Sequence, residues 1–285
     1  MTYTNPEALV STEWLADHMS APDVRIVDAS YHLPATNRDP RAEYEESHIP
    51  GAVFFDISDI CDENNDLPHM LPSPEKFASR VRKLGLGDGN RIVVYDANGG
   101  FSAAARVWWM FRVFGHVDVA VLDGCLPKWL AEGRPTDDRE PAPSPRHFTA
   151  QLNHILVRDM GHLLDNIVGK RDQVLDARPA DRYAGTGEET RPNLRKGHIP
   201  GSLNMPFSGL MDPTAHFVMR PADELQASFG SIDVDLRRPV VALCGSGVTA
   251  AVLALSLYLI GHKHAAIYDG SWSEWGGRDD TPIDP

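Results

Sequence analysis

Cys244 is the residue of this sequence with the strongest case for acting as a nucleophile. It closes a short apolar run in the segment VVALCGSGVTAA, and the residues after it lead into a helix predicted to start at Thr249. The N-terminus of a helix offers unpaired N–H groups and the positive end of the helix dipole, which stabilise a thiolate or a persulfide. Gly245 and Gly247 permit the backbone conformations that turn several N–H groups toward one anion. We therefore predict a site for a sulfur anion, with a thiol that is ionised and accessible at neutral pH.

A tandem repeat supplies an internal control for this interpretation. Four segments of the first half match four segments of the second half in the same order and at nearly one offset. The matched pairs are VRIVDAS with DQVLDAR, SHIPGAVFFDI with GHIPGSLNMPF, RIVVYDANGG with RPVVALCGSG, and FGHVDVAVLDGCLPKW with LIGHKHAAIYDGSWSEW. The repeat places Asp96 at the position of Cys244, so the fold itself does not require a cysteine there. A buried cysteine that serves only as a small apolar residue is therefore the weaker interpretation.

The elements that must position Cys244 follow from the alternation of strands with helices. Each half contains a strand, a loop that ends in HIPG, a second strand, a helix, a buried strand, a long helix and a last strand. This alternation favours parallel pairing and predicts an α/β fold, with a parallel sheet flanked by helices in each half. Sites in such sheets form at the carboxyl ends of strands, where loops enter helices. The helix predicted over residues 249–260 is apolar on all sides, so we expect it to be buried.

Composition and charge exclude several classes of protein. Of the 285 residues, 42% are hydrophobic and 24% are charged, as in globular proteins, and no apolar run is long enough to span a bilayer. The net charge of −13 argues against nucleic acid as a partner, because its phosphates would be repelled. The first residues lack the basic and apolar regions of a secretory signal, so we expect a cytoplasmic protein with no membrane partner. Cys61, Cys125 and Cys244 form neither a disulfide framework nor a CxxC metal pair.

The residues around Cys244 narrow the chemistry that it can perform. In the loop of cysteine phosphatases an arginine clamps the phosphoryl group, and Ala250 occupies that position here. A hydrolase with a Cys–His pair needs a base aimed at the sulfur, and no local signature identifies one. A short anion cradle without a base or a phosphate clamp suits the transfer of sulfur.

The chain resembles the two-domain sulfurtransferases of the rhodanese type. The resemblance rests on the loop CGSGVTA, the two HIPG segments, the ending YDGSWSEWG and the tandem halves. Within that family the chain is similar to the 3-mercaptopyruvate sulfurtransferases of the bacterial type. The resemblance implies a non-catalytic rhodanese-like domain over residues 1–137, a linker over residues 138–155 and a catalytic rhodanese-like domain over residues 156–285. Asp96 in the first half and Cys244 in the second half fit that division.

The resemblance implies a persulfide cycle. Cys244 would take the sulfur of 3-mercaptopyruvate, pyruvate would leave, and a thiol or cyanide would then remove the sulfur. Thioredoxin and small dithiols are the acceptors that the family suggests, and neither a metal nor an organic cofactor is expected. Rhodaneses of the thiosulfate type carry arginine and lysine directly after the cysteine, whereas Gly245 and Ser246 are neutral. Because thiosulfate expels the sulfite dianion, a neutral loop favours a donor with a single carboxylate.

The resemblance also assigns substrate contacts. Arg182 and Arg191 would bind the carboxylate and the carbonyl of the donor, because a guanidinium offers a bidentate fork. The alternative is that they are solvated loop arginines paired with Glu188 or Glu189. The remaining basic residues of this segment are expected to be surface charges: Arg178, Arg195 and Lys196. The substrate-binding residues expected in the cysteine loop are Gly245, Gly247, Val248 and Thr249.

Ser246 has two interpretations. Its hydroxyl caps the following helix, or it binds the oxygen of the leaving enolate and relays a proton. For the second role the family implies a histidine and a carboxylate from the first domain, arranged as in a serine-protease triad. His48 would be that histidine and Asp39 its acid. Because HIPG occurs in both halves, His48 could instead stabilise its own turn, and other acids near it stay open: Glu43, Glu45 and Glu46.

Two alternative functions stay open at this point. The first is a thiosulfate:cyanide sulfurtransferase that uses the same nucleophile. The second is a persulfide carrier module that turns over poorly without a partner protein.

Overall fold

The computed structural model describes residues 2–285 and places two five-stranded sheets in that part of the chain. The strands of the first sheet are β1 (Leu9–Val10), β2 (Val24–Asp28), β3 (Val53–Phe54), β4 (Arg91–Tyr95) and β5 (Val119–Leu122). They lie in the order β1-β5-β4-β2-β3, and every neighbouring pair is parallel.

The second half repeats this arrangement. Its strands are β6 (Val157–Arg158), β7 (Gln173–Asp176), β8 (Leu203–Asn204), β9 (Met211–Asp212), β10 (Val218–Met219), β11 (Val240–Leu243) and β12 (Ala266–Tyr268). Five of them form a parallel sheet in the order β6-β12-β11-β7-β8, which is the order of the first sheet. The other two, β9 and β10, pair as an antiparallel hairpin outside the sheet. The predicted duplication and the predicted parallel α/β fold are both confirmed.

Helices connect the strands in both halves. They are α1 (Thr12–His18), α2 (Pro40–Glu46), α3 (Pro74–Lys83), α4 (Ser102–Val113), α5 (Cys125–Ala131), α6 (Met160–Gly169), α7 (Ala180–Tyr183), α8 (Ala222–Gly230), α9 (Ala250–Leu259) and α10 (Ser271–Trp275). Side-chain oxygens cap the N-termini of α1, α2, α3 and α6, where they satisfy free N–H groups. None of the helices in residues 2–285 combines the length and hydropathy of a membrane-spanning segment.

The core extends across the boundary between the halves. Helix α9 is buried along its length, apart from the half-buried Tyr258, as its apolar sequence predicts. It packs against α4 of the first half, where Trp108 meets the Tyr258 ring edge-on at 5.5 Å. The two central helices therefore join the sheets into one packed structure.

The strand after each HIPG segment is shorter than the sequence predicts. The predicted strands cover six residues each, but only Val53 and Phe54 pair with β2, and only Leu203 and Asn204 pair with β7. Both strands lie at the edge of a sheet, where one neighbour alone sets the length of pairing. The proposed linker contains no helix or strand over residues 141–150, yet Phe148 is buried against Phe77 of α3.

Candidate active site

The cysteine loop lies between β11 and α9, and its carbonyl groups are held from one side. Trp272 donates its backbone N–H to the Cys244 carbonyl at 3.0 Å, and Ser273 donates its own to the Gly245 carbonyl at 2.8 Å. The Cys244 N–H donates to the Ser271 hydroxyl at 3.2 Å. These contacts come from the start of α10, so the end of the second sheet fixes the loop backbone.

The amides of the loop remain available for an anion. Within residues 2–285, the N–H groups of residues 245–249 donate to no backbone or side-chain acceptor. In the first half, the Asp96 carboxylate accepts from the N–H of Asn98, the position equivalent to Ser246, at 3.1 Å, and from the N–H of Ala104 in α4 at 3.2 Å. Since Asp96 stands at the position of Cys244, the repeat indicates that the free amides surround the cysteine side chain. The free amides support the predicted anion cradle in the second half.

Gly247 is required at its position in the loop. Its φ of 75° lies in the region that favours glycine. A Cβ atom there would lie 2.9 Å from the Asp269 carbonyl oxygen and 3.1 Å from Nη1 of Arg106. The loop can therefore keep its course only with glycine at this position.

Arg182 and Arg191 both reach the cysteine loop. A Cβ atom on Gly245 would lie 3.4 Å from Nη2 of Arg182 and 3.9 Å from Nη1 of Arg191. Arg182 also pairs with Glu189 at 2.6 Å, whereas Arg191 has no ion pair within residues 2–285. The two arginines thus bring positive charge over a loop that has none of its own.

One of the arginines expected at the surface is instead buried, and the expectation for Arg178 is wrong. Its guanidinium pairs with Asp176 at 2.6 Å and with Glu189 at 2.9 Å, and it stacks over the Trp272 ring at 4.1 Å. Because Glu189 binds both Arg178 and Arg182, this pair fixes the position of Arg182.

The other two basic residues differ from each other. Arg195 is half-buried and donates to the carbonyls of Trp275 and Thr281, both at 3.1 Å, so its expected place at the surface is also wrong. Lys196 is exposed and pairs with Glu188 at 2.6 Å, as expected of a surface charge.

The expected open thiol is also wrong as stated, because Cys244 is only 2% exposed. Residues of the first half cover the loop: Arg106 of α4 donates to the Gly247 carbonyl at 3.3 Å, and Leu71 donates its N–H to Asp269 at 2.7 Å. The cysteine loop therefore lies against residues of the first half, and we expect only a small donor to reach Cys244.

The structure also gives the environments of Ser246, Val248 and Thr249, the other loop residues. Ser246 is buried and its hydroxyl makes no hydrogen bond within the described residues, so it does not cap α9. Val248 is buried against the core, and Thr249 directly precedes α9 without a side-chain capping bond. Of the two interpretations of Ser246, helix capping is the one that the structure contradicts.

His48 and Asp39 are not brought to the cysteine loop. His48 is fully buried beside its own turn, where Nδ1 contacts the Tyr44 carbonyl at 2.7 Å and the ring stacks on Tyr44. His198 repeats both contacts with Tyr183 in the second half. Asp39 is exposed and caps α2. The expected triad with Ser246 is therefore wrong, because the histidine of HIPG holds its own turn in both halves.

The histidine that the first half does bring to the loop is His69. Its carbonyl accepts from Nη2 of Arg106 at 2.6 Å, and its ring meets Tyr31 edge-on at 4.7 Å. Its Nδ1 is buried without a hydrogen-bond partner among the described residues. Burial, and then the charges of Arg106 and Arg191, lower the pKa of His69 to about 4, so the ring is neutral at pH 7.

A signal for His69 is present in the sequence but lies outside the repeat motifs. In the structure, Leu71 binds Asp269 just as Met219 binds Asp123 in the other half, which aligns His69 with Phe217. His69 is thus a histidine that occurs in one half only, whereas the histidine of HIPG occurs in both. A histidine absent from the repeat is the better candidate for a role confined to one half.

Comparisons with known proteins agree with this geometry. A rhodanese-like domain matches residues 11–132 and again residues 160–278. The human 3-mercaptopyruvate sulfurtransferase is 42% identical over 273 residues, covering 94% of this chain and 91% of its own. The bovine thiosulfate sulfurtransferase is 45% identical over 277 residues, covering 95% and 92%. The crystal structure of SseA from Escherichia coli, a 3-mercaptopyruvate sulfotransferase, has a TM-score of 0.85 and 38% identity, covering 93% of this chain and 98% of that one.

Proposed function

This chain belongs to the rhodanese-like family, with two copies of the domain in tandem, and on that premise we propose that it is a 3-mercaptopyruvate sulfurtransferase. It moves the sulfur of 3-mercaptopyruvate to Cys244, releases pyruvate, and passes the sulfur from the Cys244 persulfide to a thiol or to cyanide. The observation that carries the proposal is the difference between the two loops. The Asp96 carboxylate binds the Asn98 amide of the first loop, whereas the amides over residues 245–249 of the second loop are free within the described residues.

The donor binds through Arg182 and Arg191. Both guanidinium groups lie over Gly245, and Arg191 has its charge free of ion pairs within residues 2–285. A carboxylate with an adjacent carbonyl matches this pair, because each group accepts hydrogen bonds from a planar guanidinium. The donor's sulfur is then directed toward Cys244 in the same loop.

The transfer breaks one C–S bond and forms one S–S bond. The Cys244 thiolate attacks the sulfur of 3-mercaptopyruvate, and the bonding pair of the C–S bond stays on carbon as the enolate of pyruvate. The enolate carbon takes one proton to give pyruvate, while Cys244 holds the sulfur as a persulfide. An acceptor thiolate or cyanide then attacks the outer sulfur, which regenerates the Cys244 thiolate and gives an acceptor persulfide or thiocyanate. The free loop amides stabilise the sulfur anion in both steps.

His69 and Ser246 donate hydrogen bonds to the oxygen of the leaving enolate. Ser246 has an uncommitted hydroxyl within the described residues, and Arg106 holds the His69 carbonyl near the loop while the His69 ring is neutral. Hydrogen bonds from these groups stabilise the negative charge that develops on that oxygen as the C–S bond breaks. We assign this role to His69 in place of His48.

A thiosulfate sulfurtransferase is the second candidate. The observation in its favour is the pair Arg182 and Arg191, which supplies cations that the loop itself lacks. The test is to measure kcat/KM for 3-mercaptopyruvate and for thiosulfate with cyanide as the common acceptor. We expect 3-mercaptopyruvate to be the better donor. A large preference for thiosulfate would overturn the proposal, and slow turnover with both donors unless a partner protein is added would indicate a carrier module.

We also propose a cytoplasmic location, with thioredoxin or a small dithiol as the acceptor. Cys61, Cys125 and Cys244 are free thiols, and free thiols persist in a reducing compartment. Because Cys244 is buried, an acceptor that presents one thiol on a small or protruding group is favoured. Cell fractionation, and transfer assays with reduced thioredoxin against dithiothreitol, test the two parts separately.

A further inference from the structure

Arg106 is a fully buried arginine that the proposed chemistry does not use. It lies on α4 of the first half, yet its guanidinium reaches into the second half. Nη1 donates to the Gly247 carbonyl at 3.3 Å, and Nη2 lies 2.7 Å from Oδ1 of Asp269. Nη2 also donates to the His69 carbonyl at 2.6 Å. The Arg106 side chain thus contacts His69, the cysteine loop and Asp269, which directly follows β12.

Asp269 binds both Arg106 and the segment that follows His69. Its Oδ2 atom accepts the N–H of Leu71 at 2.7 Å, while its Oδ1 atom pairs with Arg106. The segment from His69 to Leu71 is therefore held at both ends, by the arginine at one end and by the carboxylate at the other. The ring of Trp109 lies 4.5 Å from the guanidinium carbon and closes its remaining face.

The equivalent contact between the halves, which lies over the loop of Asp96, contains no arginine within the described residues. Asp123 accepts the N–H of Met219 at 2.9 Å, and the residue above the first loop is Phe217. The position on α9 equivalent to Arg106 is Ala254, which is buried. Burial raises the pKa of Asp123 to about 6, and no arginine pairs with it within the described residues. Arg106 thus belongs to the contact beside the Cys244 loop, and the fold that the two halves share does not require it.

We propose that Arg106 is a positioning residue that fixes His69 over the cysteine loop across the boundary between the halves. This inference rests on the proposed sulfur transfer and on the role of His69 in it. Arg106 contacts neither donor nor sulfur. It sets the height of the His69 carbonyl relative to the Gly247 carbonyl, and so places the imidazole where the enolate oxygen forms.

The test compares R106M and R106K with R112M. Arg112 is a matched control on the same helix, because its guanidinium also stacks on tryptophan, here Trp108, and also reaches the second half at Tyr258. It touches neither His69 nor the cysteine loop. Each protein is mixed with 3-mercaptopyruvate in a single turnover, and the gain of sulfur on Cys244 is followed by mass spectrometry. Steady-state kcat and KM are measured beside it.

We expect R106M to slow the gain of sulfur by about a hundred-fold, because a displacement of about 1 Å in a reacting group costs roughly that much. The KM for the donor should change little, since Arg182 and Arg191 hold its carboxylate. R106K should recover part of the rate, and R112M should equal the wild type. Sulfur transfer by R106M at the wild-type rate, or a loss confined to KM, would overturn the proposal.

The pH dependence of kcat/KM is a second measurement, and it should not change in the variant if Arg106 only stabilises the fold. The groups that face His69 are Tyr31, Arg106, Arg191 and the Ile57 carbonyl. Removing the charge of Arg106 raises the pKa of His69, so the acidic limb of kcat/KM should move to higher pH in R106M. An unchanged limb in a folded R106M would contradict the proposed contact with His69.

Two further comparisons cover the cases in which R106M does not fold or the wild type takes no sulfur from 3-mercaptopyruvate. If R106M does not fold, R106M/D269N removes both buried charges together, and it must show the same slow transfer for the proposal to stand. If the wild type takes no sulfur from 3-mercaptopyruvate, the proposed function fails. The three variants are then compared with thiosulfate as donor, where an R106M rate equal to the wild type overturns the role of Arg106.

Discussion

Asp96 and Cys244 stand at equivalent positions, and their environments support the proposal that only the second half is catalytic. The Asp96 carboxylate is fully buried and binds the Asn98 amide of its own loop and the Ala104 amide of α4. Burial raises the pKa of Asp96, and the bonds from the amides oppose that rise. The amides over residues 245–249 of the cysteine loop are free within the described residues, and we propose that they bind the sulfur during transfer.

His69 and His48, both in the first half, give a direct comparison between a proposed catalytic role and a structural role. His69→Asn should lower kcat by about a hundred-fold or more while leaving the fold intact, because it removes a group that acts on the enolate. His48→Asn should instead lower the free energy of unfolding by about 1–3 kcal/mol, because it breaks a buried hydrogen bond in its own turn. Steady-state kinetics and urea unfolding measure the two effects. A loss of kcat in His48→Asn without a loss of stability would contradict the assignment.

The lowered pKa of His69 also predicts a pH dependence of stability. The folded protein protonates His69 at about 4, whereas the unfolded chain does so near the ordinary value of 6.5. The unfolded chain thus binds more protons between these values, so this contribution to stability is present above pH 6.5 and is lost as the pH falls toward 4.

His69→Asn removes this contribution. Between pH 7 and pH 4 its free energy of unfolding should fall by about 3 kcal/mol less than that of the wild type. Asp123, whose raised pKa acts in the opposite sense, is present in both proteins and cancels in the comparison. Urea unfolding at several pH values measures the difference, and equal slopes in the two proteins would contradict the buried neutral His69.

Among the elements, the loop between β11 and α9 depends on Gly247. Gly247→Ala should lower the free energy of unfolding by about 1–3 kcal/mol, because alanine is strained at a φ of 75° and its Cβ meets the Asp269 carbonyl at 2.9 Å. It should also slow sulfur transfer, because the loop must shift to relieve the contact. Gly209→Ala is the matched control, since its Cβ meets nothing within 4 Å and its φ is not positive. Similar losses in both variants would argue against a strained loop.

The central elements could be predicted from the sequence because they are buried on both faces or along their whole length. The predicted start of α9 differs from the structure by one residue. The edge strands β1 and β6 were not predicted, because two residues are too few to show a periodic pattern. The hairpin of β9 and β10 was also missed, since it lies outside the sheet that the repeat implies.

At the scale of the whole molecule, the site is assembled from both halves. Cys244, Arg182 and Arg191 come from the second half, and the repeat together with the family resemblance led to all three. His69 and Arg106 come from the first half, through contacts between residues far apart in the chain. No local pattern marks such contacts, which is why sequence reasoning assigned the wrong histidine. The burial of Arg178 likewise depends on Trp272, which lies far from it in the chain.

The interface between the halves should make unfolding cooperative. Trp108→Ala, at the contact of α4 with α9, should lower the free energy of unfolding by about 3–5 kcal/mol. Calorimetry should show one transition in the wild type, shifted as a whole in the variant. Trp14→Ala, a half-buried position stacked on His18 in the first half, should cost less. Two separate transitions, with only one moved by Trp108→Ala, would contradict the packing between the halves.

The most direct test of the account is the mass of the protein after incubation with 3-mercaptopyruvate. The wild type should gain one sulfur atom, located on the peptide that contains Cys244, and release one equivalent of pyruvate. Cys244→Ser should gain none, while Cys61→Ser and Cys125→Ser should match the wild type. Sulfur on a peptide of Cys61 or Cys125, or no gain in a folded wild type, would contradict the central claim.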